Sequence, residues 1–287
     1  MAGSIIQTEL AEALDNLLND TANWSTSDMF VGLSYAVPSD ANGTGYDEVT
    51  EAGYSRQAVT AAQWDLPTAA EPSEVDNNVT VTWGPATANW DNAAAGTIQA
   101  IGFHTLASGG SLLAWAPTST TPTVNNGDSF QIAIGDINIQ LAQEGADGMT
   151  TYAHQQILEQ WANKGDYTPP GDLYIGLSTT DPAVDGTSIS EPVGFAYARV
   201  QIPATDWAAA TNANPSVKIL DTNGVTFPQA SGGAWGNIRA WVLFDDNVPT
   251  NAIAYGPVSP LPQAVNDGDT ASFAVNEIQL ELGGSVV

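Results

Sequence analysis

Phe30-Val-Gly-Leu-Ser34 is answered by Tyr174-Ile-Gly-Leu-Ser178, and this pair opens a series of matches that runs in order along the chain. Tyr54-Ser-Arg56 corresponds to Tyr197-Ala-Arg199, and Trp64 to Trp207. Val81-Thr-Trp83 corresponds to Val225-Thr-Phe227, with Trp90 opposite Trp235. Val124-Asn-Asn-Gly-Asp128 matches Val265-Asn-Asp-Gly-Asp269, and Ile137-Asn-Ile-Gln-Leu141 matches Ile278-Gln-Leu-Glu-Leu282. The offsets stay near 140 to 145 and drift only in Gly- and Asn-rich stretches, where loop insertions belong. Chance does not preserve that order. The 287 residues therefore read as two tandem copies, expected at 1–145 and 146–287.

Each copy opens on a helical pattern. Ile6, Leu10, Ala13, Leu14, Leu17 and Leu18 recur at helical spacing in the first. In the second, residues 150–163 place Tyr152, Ile157, Leu158 and Trp161 on one side, with Gly165 as the stop. Beyond the helices, apolar residues alternate, as at Ile137, Ile139 and Leu141 and at Ile278, Leu280 and Leu282. Asn42-Gly43, Asn126-Gly127, Asp185-Gly186, Asn223-Gly224 and Asp267-Gly268 mark turns. The expected fold is mostly β: two tandem antiparallel β-sandwiches, each with a short N-terminal α-helix. The joint falls at the polar segment 143–148, and a rigid two-lobed rod is the expected shape.

Charge excludes several functions. Five Lys and Arg stand against 32 Asp and Glu, a formal net charge of −27 spread over both copies. Five scattered bases cannot displace counterions from nucleic acid or hold an anionic lipid surface. No stretch approaches the roughly 20 apolar residues of a membrane span, and no secretory signal opens the chain. Self-repulsion of this size is tolerable when molar salt shortens the Debye length to roughly 3 Å, so a brine environment is expected. Cys is absent, which removes disulfides and thiolate metal sites.

No catalytic set is legible. His104 and His154 fall in a strand and a helix and have no His counterpart in the other copy, and no Ser stands in a nucleophile elbow. The carboxylates read as a solvated surface. Asp221-Thr-Asn-Gly224 resembles part of a calcium loop but lacks the downstream acid, so no cofactor or metal is expected. With so few bases in the chain, the matched Arg56 and Arg199 carry more information. Each is expected to anchor a structural ion pair with Glu51 and Glu191 just upstream, or with Asp128 and Asp269. The recurring Trp64/Trp207 and Trp90/Trp235 read as packing. Trp24, Trp115, Trp161 and Trp241 have no matched Trp and are candidates for a contact surface, although burial suits most of them. Four Asn-x-Ser/Thr sequons, at Asn19, Asn23, Asn42 and Asn78, lie in the first copy only.

Tyr167-Thr-Pro-Pro-Gly-Asp-Leu-Tyr-Ile-Gly-Leu-Ser-Thr-Thr-Asp-Pro182 resembles the opening of a domain found in tail-fibre and head-decoration proteins of tailed phages. The resemblance continues through Glu191-Pro-Val-Gly-Phe-Ala-Tyr-Ala-Arg199, Phe227-Pro-Gln-Ala230, Trp235-Gly236, Phe244-Asp245 and Val265-Asn-Asp-Gly-Asp269 with Phe273. The first copy follows more loosely, with Trp83-Gly-Pro-Ala86 for the Phe-Pro segment and Phe103-His104 opposite Phe244-Asp245. The resemblance implies a non-enzymatic virion protein. Joined to the acidic composition, it implies a haloarchaeal tailed virus. The expected role is a capsid turret, spike or decoration protein, with a tail or tail-fibre component as the alternative and a glycan-binding or glycan-degrading protein as a remoter one. Expected partners are further copies of itself in a trimer or pentamer, the major capsid protein or other virion proteins, and a host surface glycoprotein or glycan. The expected location is the virion surface, after assembly in the host cytoplasm.

Overall fold

The computed structural model describes residues 4–5, 7–19, 28–39, 42–91, 96–142, 148–162, 170–212, 217–248 and 251–286. The first repeat runs β1 (Ser4–Ile5), α1 (Gln7–Asn19), β2 (Met29–Ser34), β3 (Gln57–Val59), β4 (Ser73–Asp76), β5 (Val81–Trp83), β6 (Ala100–His104), β7 (Leu112–Pro117), β8 (Phe130–Ile132) and β9 (Asn138–Ala142). The second begins with β10 (Gly148–Met149), α2 (Thr151–Trp161), β11 (Asp172–Ser178), β12 (Val200–Pro203), β13 (Thr211–Asn212) and β14 (Val217–Leu220). It continues with β15 (Val225–Gln229), β16 (Gly236–Ile238), β17 (Ala240–Phe244), β18 (Ala252–Pro257), β19 (Gln263–Val265), β20 (Thr270–Phe273) and β21 (Gln279–Val286). The fold is mostly β and its strands pair antiparallel, as the alternation required. Ile6, Trp24, Gly165, the joint at 143–147 and the sequon Asn23 lie outside the described residues, as do the side chains of Leu17, Leu18 and Asn19.

Each repeat builds one five-stranded sheet in the same order, β1-β7-β6-β2-β3 and β10-β18-β17-β11-β12. A third sheet, β13-β14-β21-β9-β4, crosses from one repeat to the other. Its seam is the pairing of β9 with β21, where Ala142 is opposite Gly283. Leu141 corresponds to Leu282, so Ala142 corresponds to Gly283. Two equivalent residues facing each other across an antiparallel ladder place a pseudo-two-fold axis between them.

The helices cross the same axis. α1 packs on β13, β14 and β21 of the second repeat, and the Asp15 carboxylate accepts the Ala210 N–H at 2.9 Å. α2 packs on β4 and β9 of the first repeat, and the Gln155 amide donates to the Pro67 carbonyl at 3.3 Å. Thr150 caps α2 by accepting the Ala153 N–H, and Ala153, His154, Ile157, Leu158 and Trp161 form its buried face. Trp161 meets Phe103 of β6 at a ring separation of 6.4 Å. Buried residues of both repeats thus join in one contiguous core, including Leu14, Val31, Leu33, Phe103 and Ile139 with Leu158, Trp161, Ile175, Leu177 and Leu280. The two repeats, expected as the lobes of a rigid rod, are interlocked, because each helix buries its apolar stripe partly or wholly on strands of the other repeat.

Trp161→Ala should therefore cost about 3–5 kcal/mol. Calorimetry should still show one unfolding transition for the whole chain; two separate transitions would refute the shared core.

Candidate functional site

The pleat of β2 and β11 sends alternate residues to opposite faces. Val31, Leu33, Ile175 and Leu177 enter the core, while Gly32, Ser34, Gly176 and Ser178 face an arm, residues 35–39 and 42–56 or 179–199, laid over the other side. Ser34 and Ser178 are fully buried, and their hydroxyls accept the N–H of Asp47 at 2.9 Å and of Ser190 at 3.1 Å, tying each arm to its sheet.

Each arm carries a clamp of carboxylate, phenol and guanidinium. In the second repeat Arg199 donates to Glu191 through Nε at 3.1 Å and Nη2 at 2.7 Å, and Nη1 reaches the Asp246 carbonyl at 2.9 Å. The Tyr197 hydroxyl donates to Glu191 at 2.6 Å and accepts the Leu177 N–H at 2.8 Å. In the first repeat Arg56 donates to Glu48 at 2.7 and 2.6 Å and its Nη1 reaches the carbonyls of Leu106 and Gly109. Tyr54 likewise bridges Glu48, at 3.0 Å, and the Leu33 N–H, at 2.9 Å. The glycine of the shared Gly-Leu-Ser makes room for this: a Cβ on Gly176 would lie 2.5 Å from Glu191 Oε1 and 3.0 Å from the Tyr197 hydroxyl.

The partner of Arg56 is Glu48, not Glu51. Glu51 sits in the turn at the tip of the arm, where its carboxylate accepts the Thr50 N–H. A Glu-x5-Tyr-x-Arg spacing shared by Glu48, Tyr54 and Arg56 and by Glu191, Tyr197 and Arg199 is the signal that distinguishes the two acids. Asp128 and Asp269 are not partners of the arginines either. They close the Asn-Asn-Gly-Asp and Asn-Asp-Gly-Asp turns, accepting the N–H of Asn125 at 3.0 Å and of Asn266 at 2.8 Å.

The matched tryptophans complete the clamp. Trp90 and Trp235 donate their indole N–H to the arm carbonyls of Ala52, at 3.3 Å, and Phe195, at 2.9 Å. Each meets its tyrosine edge to face, Tyr54 at 5.7 Å and Tyr197 at 5.2 Å. Trp64 and Trp207 are buried at bridges to Asn77 and Asp221. Trp115, Trp161 and Trp241 are buried too, so they form no open contact surface. Asp221 caps its own turn by accepting the Gly224 N–H at 2.8 Å, and among the described residues no cluster of metal-binding side chains occurs. Among them, too, no helix is long and apolar enough to cross a membrane.

The repeats differ beside the clamp. Strand register pairs Phe30 with His104 and Tyr174 with Phe244, so His104 corresponds to Phe244, one residue off the alignment of Phe103 with Phe244. The Arg199 guanidinium lies 3.4 Å over the Phe244 ring. In the first repeat Tyr46 meets His104 edge to face at 5.2 Å, and a Cβ on Gly102 would strike the Tyr46 ring at 2.5 Å. Burial, and then the charge of Arg56, push the His104 imidazole down to about 4 against the pull of Glu48. Burial alone pushes His154 down to about 4, although Glu71 stands 3.9 Å from its Nδ1. Burial would raise Glu48, but hydrogen bonds from Arg56 and Tyr54 and the charge of Arg56 hold it below the usual carboxylate range.

The sequence profile described as "Podophage GP4 fiber I protein gp80" matches residues 6–140 and again residues 148–281. No curated protein gives a significant match.

Arg199→Met should cost about 2–3 kcal/mol, less than for a fully enclosed pair because Glu191 still touches water. Gly176→Ala should destabilise measurably while Gly171→Ala, which meets open space, should not; equal melting of the two variants would contradict the clamp. Both histidines are neutral when folded and take a proton first in the unfolded chain. Their contribution is full above about pH 6.5 and is lost as pH falls towards 4, at most about 3 kcal/mol each. His104→Phe with His154→Leu, the residues of the opposite repeat, should flatten that part of the melting-versus-pH curve relative to the parent chain; an unchanged slope would refute it.

The clamp, the Gly-Leu-Ser strand and the Trp tether thus recur in both matched segments, and the chain belongs to the family of the podophage GP4 fiber I protein gp80, present here as two tandem copies.

Proposed function

We propose that the chain is a non-enzymatic structural component of the tail fibre of a tailed virus living in concentrated salt. The fibre-family match in both repeats carries this reading. It favours the tail fibre over the capsid turret, spike or decoration role, which has no comparable support. In the clamps the reactive side chains are saturated by one another and by backbone carbonyls, which suits a joint under mechanical load. The copies 1–145 and 146–287 act as one interlocked unit, which assembles with further copies of itself, as a trimer or pentamer, and with other virion proteins. A host surface glycoprotein or glycan is the external partner.

The salt component rests on the net charge of −27. Melting temperature should rise steadily from low to molar NaCl as repulsion is screened; a melting point indifferent to salt would contradict it. The location is tested by a cryo-electron map of purified virions in molar salt. Density for this chain along the tail or at its tip supports the fibre reading. Density at capsid vertices or lattice axes would replace it with a turret or decoration role.

A further inference from the structure

We propose that the first repeat binds a neutral saccharide unit in a cavity that the second repeat fills with its own tryptophan. The cavity, about 290 Å³, lies where β6 and β7 meet β8. Ile101, Ala116, Phe130 and Ile132 give it apolar walls. The hydroxyls of Thr118-Ser-Thr120, the Gln131 amide and the Asp136 carboxylate provide its polar groups.

The duplication supplies the comparison. Leu33 pairs with Ile101 and Leu177 with Trp241; Ile101 pairs in turn with Ala116, and Trp241 with Gly256. Trp241 is only 5 % exposed, and a Cβ on Gly256 would lie 2.6 Å from its indole Cζ2. The indole therefore occupies, in the second repeat, the space above the residue equivalent to Ala116. By strand register Phe273 replaces Ile132, and Val258 replaces Thr118, these last two each donating the N–H to the equivalent carbonyl, Arg239 or Gln99. In the first repeat Ile101 and Ile132 are smaller than Trp241 and Phe273, Ala116 is one methyl larger than Gly256, and Thr118 adds a hydroxyl that Val258 lacks. Ile101 is as buried as Trp241, but its smaller side chain leaves an amphipathic cavity beside it where the second repeat holds an indole.

The chemistry selects the ligand. A sugar ring presents apolar C–H faces and a hydroxylated edge, which match apolar walls with hydroxyl, amide and carboxylate groups beside them. No lysine, arginine or histidine lines the cavity, and its one charged group is an acid on a chain of net charge −27, so anionic ligands are disfavoured. The volume lies near the lower end of the roughly 300–1,000 Å³ common for small-molecule pockets, which suits one or two sugar rings. The inference extends the fibre reading without depending on it, because binding is read on the isolated chain rather than on the particle.

The test is saturation-transfer NMR in molar NaCl, with glucose, galactose, mannose, N-acetylglucosamine, lactose and maltose as probes and galacturonate as the charged counterpart. At least one neutral sugar should receive transfer. Its affinity should fall about tenfold or more in Ile101→Trp/Ala116→Gly, which installs the pair found in the second repeat. Gln131→Ser and Asp136→Asn, both at exposed positions, should weaken binding several-fold with unchanged melting. The proposal is overturned if no neutral sugar receives transfer, if galacturonate binds more tightly, or if binding survives unchanged in all three variants.

Discussion

The pairing of Ala142 with Gly283 fixes the architecture. These residues are equivalent members of the two repeats, and setting them opposite each other joins two half-sheets into one around a local two-fold axis. β1 and β10 hold the start of each copy on its own five-stranded sheet, and the helix that follows lies across the seam on the other copy. Neither repeat closes its core alone. The chain folds as a covalently linked pseudo-dimer, and tethering the halves replaces a bimolecular encounter by an intramolecular one.

The clamp follows from the same sheets. Burying both faces of β6 and β17 needs a cover on the side away from the core, and the arm supplies it. An arm crossing a sheet has few backbone partners, so side chains must hold it: the buried serine near its root, the Tyr-Glu-Arg set at the sheet and the indole at its tip. Arg56 and Arg199 also reach into the hairpins after β6 and β17, so one guanidinium links arm, sheet and hairpin. This explains why a chain with five bases places two of them at equivalent positions. The acids that balance the fold electrostatically are few; most of the remaining carboxylates are the solvated surface that the composition implied.

The duplication, the mostly β fold, the burial of most tryptophans and the special standing of the two arginines were legible from residue order alone, because repeats print their shared constraints twice. The identity of the acid beside Arg56 was equally printed, in the Glu-x5-Tyr-x-Arg spacing, but Glu51 stands nearer in sequence and hides it. The His104–Phe244 equivalence was shifted by one residue because Phe matches Phe by residue type, whereas strand register makes Leu243 the counterpart of Phe103 and Phe244 that of His104. The helix exchange could not be read, since an apolar stripe at Leu10 and Leu14 or at Ile157 and Trp161 specifies burial without naming the sheet that provides it. Nor could the cavity beside Ile101, which appears only when strand register shows that Trp241 is its counterpart.

The interlocked pseudo-dimer is tested most directly by preparing residues 146–287 alone and measuring their mass in solution by sedimentation. That fragment exposes both the β21 edge that β9 covers and the sheet that α1 covers, while α2 keeps β18 of its own repeat but has lost β4 and β9. The account predicts a homodimer, with each α2 on the partner's sheet. A folded monomer that melts like the parent chain would contradict it.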